Sequence, residues 1–139
     1  MTEQQAKIEI HDVLNTSEGR FDYIGEDTLV SRIGCSLFFF SLSSQKSSTL
    51  KFPVGYTVDG WSVSNFTPAG QGEAQIVVAL SGAETRVHVY SWPRLHLEQS
   101  YLTEEDVCIN HLALSRDARH LVGVTSESHV QLRYWDLQS

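Results

Sequence analysis

The chain lacks most of what would place it outside the ordinary globular class. Its 139 residues include only three prolines and nine glycines, which excludes a collagen-like or Pro-rich disordered chain. Two cysteines, Cys35 and Cys108, cannot form a disulfide framework or by themselves fill a four-ligand zinc site. Basic residues are scarce: 10 Lys and Arg against 17 Asp and Glu leave a formal net charge of −7. A phosphate-backbone binder needs a basic face to release counterions, so nucleic acid is not an expected partner. Long hydrophobic runs are missing too. The longest, residues 76–80, falls far short of the ~20 residues that span a bilayer, so no membrane partner is expected. The opening MTEQQAKIEIHD has neither the basic nor the apolar region of a signal peptide. These absences predict an intracellular, reduced, cytoplasmic chain, in which the triplets at Asn15 and Asn65 match the glycosylation signal by accident.

What is present is apolar material for a core, 41% of residues, arranged with a period of two. Short segments rich in Val, Ile, Phe, Tyr and Thr alternate with turn clusters, the pattern of many half-buried strands. The alternation predicts strands at 7–14, 21–24, 28–34, 36–42, 49–52, 61–67, 74–80, 86–92, 96–101, 108–114, 120–125 and 129–136. Connections of 3–6 residues suit hairpins. No apolar stripe of helical period runs for three turns, so the chain reads as all-β.

The segments repeat. Ile76-Val77-Val78-Ala79 aligns with Leu121-Val122-Gly123-Val124, and Val87 to Ser91 with Leu132 to Asp136, both at an offset of 45 residues. Upstream, Phe66-Thr67-Pro68-Ala69-Gly70 aligns with Leu114-Ser115-Arg116-Asp117-Ala118 at an offset of 48, which implies three extra turn residues in the earlier unit. A weaker copy is Thr28 to Ser31 followed by Leu37 to Phe40. A unit of three or four strands over about 45 residues has the period of a propeller blade. Blade-like units are expected at about 15–52, 53–101 and 102–139, with 1–14 as a possible closing strand.

The last unit, LALSRDARHLVGVTSESHVQLRYWDL, resembles a degenerate WD repeat, with Trp135-Asp136 closing its third strand. It departs from that family in lacking a preceding Gly-His pair, and Ser91 stands where the middle unit would carry Asp. The family's hydrogen-bonded Asp–His–Ser/Thr–Trp network therefore cannot be carried over whole. A narrower resemblance, over perhaps 110 residues, is to the amino-terminal blades of the large cilia- and flagella-associated WD-repeat proteins. It rests on Asp27-Thr28-Leu29, Gly34 and Leu37, and on the run from Val89 through Tyr90, Trp92 and Pro93 to Leu95. The resemblance implies an incomplete WD-repeat-type β-propeller of about three blades. It also implies a non-enzymatic scaffold in a ciliary or flagellar axoneme, whose partners are axonemal scaffolds or dynein-associated proteins. A generic cytosolic WD-repeat adaptor and a free-standing ligand-binding β-sandwich are the alternatives.

No constellation of catalytic residues stands out. Cys108 and His111 are three apart in a predicted strand and point to opposite faces, so they cannot share a metal locally. Gly70-Gln71-Gly72 lacks the remaining elements of a phosphate loop. Neither catalysis nor a cofactor or metal is expected. Phe38-Phe39-Phe40 puts rings on both faces of one strand, and Trp61, Trp92 and Trp135 read as wedges between blades. Trp92 and Pro93, at a blade corner, are candidates for protein contact, as are Glu104, Glu105 and Asp106 in one acidic loop. An open propeller would also need the remaining blades of a longer chain, or a partner, to cover its edges.

Overall fold

A computed structural model describes residues 20–65, 74–103, 108–115, 119–125 and 131–137. Among them the chain forms eleven strands and no helix. The first sheet contains β1 (Phe21–Ile24), β2 (Thr28–Ile33), β3 (Ser36–Ser41) and β4 (Ser47–Lys51). The second contains β5 (Thr57–Ser64), β6 (Ala74–Ser81), β7 (Arg86–Trp92) and β8 (Leu97–Leu102). The third contains β9 (Ile109–Leu114), β10 (His120–Thr125) and β11 (Gln131–Asp136). Every pairing is antiparallel between consecutive strands. Each sheet is thus a meander of the blade type, and the three stack in chain order as an incomplete propeller. A β-sandwich would need two sheets, not three in series.

The 45-residue repeat is a repeat of register. In the second sheet Ile76 pairs with Tyr90 and Val77 with Val89; in the third Leu121 pairs with Trp135 and Val122 with Tyr134. The equivalence extends to the first strand of each sheet. Val63 pairs with Ile76 and Leu114 with Leu121, so β5 and β9 are 51 residues apart rather than the 48 expected from the sequence. The connection after β5 is therefore six residues longer than the one after β9, not three. Both strands also bulge at the same place, at Asp59 between Val58 and Gly60, and at Asn110 between Ile109 and His111. Predicted strands 21–24, 86–92 and 120–125 match β1, β7 and β10. Segment 7–14 lies outside the described residues.

Two clusters form the core, one at each joint between sheets. Val30, Leu37 and Phe39 of the first sheet meet Trp61, Ile76, Val78 and Tyr90 of the second. The opposite face of the second sheet, Val77, Ala79, Val87 and Val89, meets Ile109, Leu112 and Leu121 of the third. The second sheet is thus covered on both faces, and β6 and β7 read as nearly continuous apolar runs for that reason. Of the three consecutive phenylalanines, Phe39 turns into the first joint. Phe38 and Phe40 pair across the sheet with Ser31 and Leu29, on the face directed away from the second sheet.

The first strands run side by side along the inner edge of the stack, β1 beside β5 and β5 beside β9. Their approach is closest at Gly60, where an added Cβ would lie 2.9 Å from the carbonyl oxygens of both Ile109 and Asn110. Only glycine fits there. Asn65 ties the other joint: its Oδ1 accepts the Gly25 amide proton at 2.8 Å and its Nδ2 donates to the Tyr23 carbonyl at 3.1 Å.

Candidate interaction surface

The residues singled out by motif serve mainly to hold the blades. Asp27 sits in the turn between β1 and β2 and reaches the turn after β3. Its carboxylate accepts the Ser41 hydroxyl at 3.2 Å, the Ser43 amide at 3.3 Å, and the Ser43 hydroxyl. The Ser43 hydroxyl above all holds the Asp27 carboxyl below the usual carboxylate range; burial opposes it, and the Ser41 hydroxyl, the Ser43 amide and the Thr28 hydroxyl add to it. Two turns are clamped together by one side chain. Gly34, with φ of 61°, makes the hairpin between β2 and β3.

Trp92 closes β7, and its ring stacks on Phe39 across the first joint, with centroids 4.9 Å apart and planes 24° apart. Trp61 is buried at the same joint under the Arg20 guanidinium, 4.2 Å from its ring centroid. Trp135 packs into the second joint. All three tryptophans lie between sheets, and the Trp92 ring is engaged inside the molecule. Beyond it the chain turns sharply: the Leu95 amide donates to the Ser91 carbonyl at 2.8 Å, and the Ser91 amide to the His96 carbonyl at 2.9 Å. The Trp92–Pro93 peptide bond is cis, and Pro93 stands exposed at the tip. Glu104, Glu105 and Asp106 lie outside the described residues, as do the glycines at 70 and 72. Among the candidates, the structure places Trp92 and Pro93 at one corner of the second sheet.

Two polar groups that the motifs did not single out lie at the joints. Asp59, at the β5 bulge, is approached by the Ser81 hydroxyl, the Cys108 thiol and the Arg32 charge. Burial outweighs these three and raises its pKa above the ordinary carboxylate value. Arg32 crosses the first joint to donate to the Val58 carbonyl at 2.8 Å. The other group is His88, buried on the first-joint face, whose Nδ1 lies 2.9 Å from the Tyr90 hydroxyl. Burial, helped by the nearby Arg86 charge, lowers the His88 pKa; burial pushes Tyr90 up to about 12. The pair is therefore neutral across the physiological range, a hydrogen bond and not an acid–base couple. No sequence spacing announces either site, because both depend on which face of a strand another sheet covers.

A cavity of about 120 Å³ at the second joint is lined mainly by Val87, Tyr101, Leu121, Trp135 and Leu137, well below the ~300–1,000 Å³ of small-molecule sites. A larger groove of about 600 Å³ lies open between the ends of β8 and β11, beside Thr103, Gln131, Arg133 and Tyr134. Among the described residues no three His, Cys, Asp or Glu side chains gather closely enough to share an ion.

No family model matches the chain, and no curated protein matches it in sequence. Among solved structures, it is similar to a chain in a crystal structure of the mitotic checkpoint complex, at 11% identity and a TM-score of 0.46. The alignment covers all of this chain and 59% of that one.

Proposed function

We propose that the protein is a non-enzymatic scaffold that binds other proteins, working in a ciliary or flagellar axoneme. The observation that carries the scaffold reading is where the side chains go. The buried apolar residues of the three sheets fill two joints, and the cavity described at the second joint, about 120 Å³, is smaller than a small-molecule site. What remains for function is turns, strand edges and rim, surfaces that meet proteins. The turn at Ser43 and Ser44 and the tip at Pro93 present polar or rigid groups suited to such contact.

The axonemal setting is supported by the resemblance in Asp27 to Leu29, Gly34 and Val89 to Leu95. An acidic chain, at −7, is a poor direct ligand for an acidic filament surface, so docking is expected on other axonemal scaffolds or dynein-associated proteins. The experiment is localisation of a tagged chain in ciliated cells. Retention on detergent-extracted axonemes is expected. A uniform cytosolic or nuclear pattern, with nothing retained, would leave only a general protein-binding scaffold.

A further inference from the structure

The longest exposed run among the described residues, 42–49, spans the turn from β3 into β4. It holds Ser43, Ser44, Ser47 and Ser48, and none of its residues joins either core cluster. Ser43 and Ser44 lie in the turn itself and use their hydroxyls differently. The Ser44 hydroxyl accepts the Lys46 amide proton at 3.3 Å. The Ser43 hydroxyl donates to the Asp27 carboxylate, and the Ser43 amide donates to the same oxygen at 3.3 Å. Beside them, the Leu42 amide donates to the Asp27 carbonyl at 2.9 Å. Through Asp27, the turn is thus fastened to the turn between β1 and β2. That second turn leads on to the Trp92 corner. Two residues before Asp27, the Gly25 amide is held by Asn65 at 2.8 Å, and a Cβ at Gly25 would lie 3.6 Å from Trp92 Nε1.

We infer that Ser43 is a phosphorylation site, and that a phosphoryl group there releases the turn from Asp27. The inference deepens the scaffold reading, on which its functional half rests: the modification controls the corner that presents Pro93 to a partner. The donor is a Mg²⁺-bound nucleoside triphosphate brought by a protein kinase. Ser43 Oγ bonds to the γ-phosphorus, the bond from that phosphorus to the bridging oxygen breaks, and the nucleoside diphosphate leaves; the hydroxyl proton passes to the kinase's base. Access is cheap. Opening the turn breaks backbone hydrogen bonds between Ser41 and Lys46 and between Gln45 and Ser41, but uncovers no core side chain. The consequence is specific to Ser43, because its hydroxyl faces an anion. Phosphorylation removes the one donor that the hydroxyl offers and sets up to about two negative charges against the Asp27 carboxylate. Attraction becomes repulsion. At Ser44 a phosphate would keep the Lys46 amide as a donor and leave the Asp27 clamp closed. The same modification one residue apart therefore has opposite effects on the turn.

Two measurements test this, one on the site and one on the release. For the site, the tagged chain is recovered from ciliated cells with phosphatases inhibited, and peptides spanning the turn are sequenced by mass spectrometry. Phosphate is expected on Ser43. Phosphate only on Ser44, Ser47 or Ser48, or on none of them, would overturn the assignment. For the release, the full chain is made with phosphoserine built in during translation at Ser43 or at Ser44, and amide hydrogen exchange is followed by NMR. With Ser43 phosphorylated, the Leu42 amide should exchange about tenfold faster than in the unmodified chain. With Ser44 phosphorylated, it should keep its unmodified rate. Unchanged exchange in the first, or equal acceleration in both, would overturn the release. Asp27→Asn keeps the side chain's size and removes its charge, so phosphorylation of Ser43 in that variant should accelerate exchange less. Equal acceleration there would show that repulsion is not the cause. On detergent-extracted axonemes, Ser43→Glu should be retained less than wild type, and equal retention would defeat control of the corner. If the wild-type chain is not retained at all, the axonemal reading fails, while the exchange rates still decide whether Ser43 governs the clamp.

Discussion

The second and third sheets are the same unit 45 residues apart, yet one is buried on both faces and the other on one. Their registers coincide pair for pair, and both first strands bulge at the same place. Apolar residues also correspond at several pleat positions, Ile76 with Leu121, Val77 with Val122 and Val87 with Leu132. What differs is the neighbour. Side-chain type in a blade is therefore set by the repeat, while burial is set by the position of the blade in the stack. An apolar residue here does not reveal by its identity whether it is core or surface. Only its place in the order of sheets does.

Introducing a charge at equivalent positions should break the equivalence most. Val77→Glu places a carboxylate in the second joint, beside Ile109 and Leu121 and without a cation. A buried charge with no partner is among the few changes that cost more than about 4 kcal/mol, enough to unfold a marginal domain. Val122→Glu, at the corresponding and only half-buried position on the third sheet, should cost less, about 1 kcal/mol. Urea melts of the two variants make the comparison. Similar midpoints would mean that the outer face of the third sheet is as well covered as that of the second.

Adding a methyl group gives the next contrast. Gly60→Ala would put Cβ against two backbone carbonyls of β9, which cannot move without shifting the strand. A loss of about 2–3 kcal/mol is expected. Gly123→Ala meets the Ile109 methyl at 2.8 Å and the edge of the Trp135 ring at 2.9 Å. Those are side chains rather than backbone, but both are packed in the second joint and the Ile109 methyl sits on a β-branched carbon, so a smaller loss of about 1–2 kcal/mol is expected. Gly123 occupies the position held by Val78 in the second sheet, and the Trp135 ring fills the room that a valine would take. If Gly60→Ala proved the milder change, β5 and β9 would not approach as closely as described.

The Asp59-Gly60 pair also shows why the sequence was only partly legible. An Asp-Gly dipeptide is a turn signal, and the alternation predicts the strand only from Trp61 onward. It starts four residues earlier, at Thr57, with Asp59 as a bulge and Gly60 as the point of contact with β9. The turn signal was real chemistry answering a different need. The same limit affects Trp92. Period-two patterning places it at a strand end, and its ring there could have faced solvent or Phe39 equally well. By contrast, β1, β7 and β10 could be read to the residue, because polar or strand-breaking residues (Arg20 and Gly25, Thr85 and Pro93, Arg119 and Ser126) mark both ends of each in the sequence. The repeat was legible wherever it rests on register, in β6, β7, β10 and β11. It slipped by three residues where it crosses a loop, because loop length is free to vary between blades.

The smallest effect concerns two histidine–tyrosine pairs, one within a joint and one on the open face. His88 Nδ1 lies 2.9 Å from the Tyr90 hydroxyl inside the first joint; His120 Nδ1 lies 2.6 Å from the Tyr134 hydroxyl on the third sheet. With its pKa pushed up to about 12, Tyr90 keeps its proton and can donate it to a neutral His88. Tyr90→Phe would leave that buried ring nitrogen unsatisfied, at a cost of about 1–2 kcal/mol. Tyr134→Phe exposes its partner to water, which replaces the bond, and should stay within about 0.5 kcal/mol of wild type. The folded-state pKa of His88 lies below its unfolded value of 6.5, so its contribution is complete above that pH. It is lost as the pH falls from there toward the folded-state value, where protons bind the unfolded chain first. His88→Gln should therefore flatten the decline in stability as the pH falls below 6.5, measured as the urea midpoint at each pH. An undiminished decline in that variant would mean that another group carries the acid sensitivity, and that covering this face of the second sheet does not hold His88 neutral.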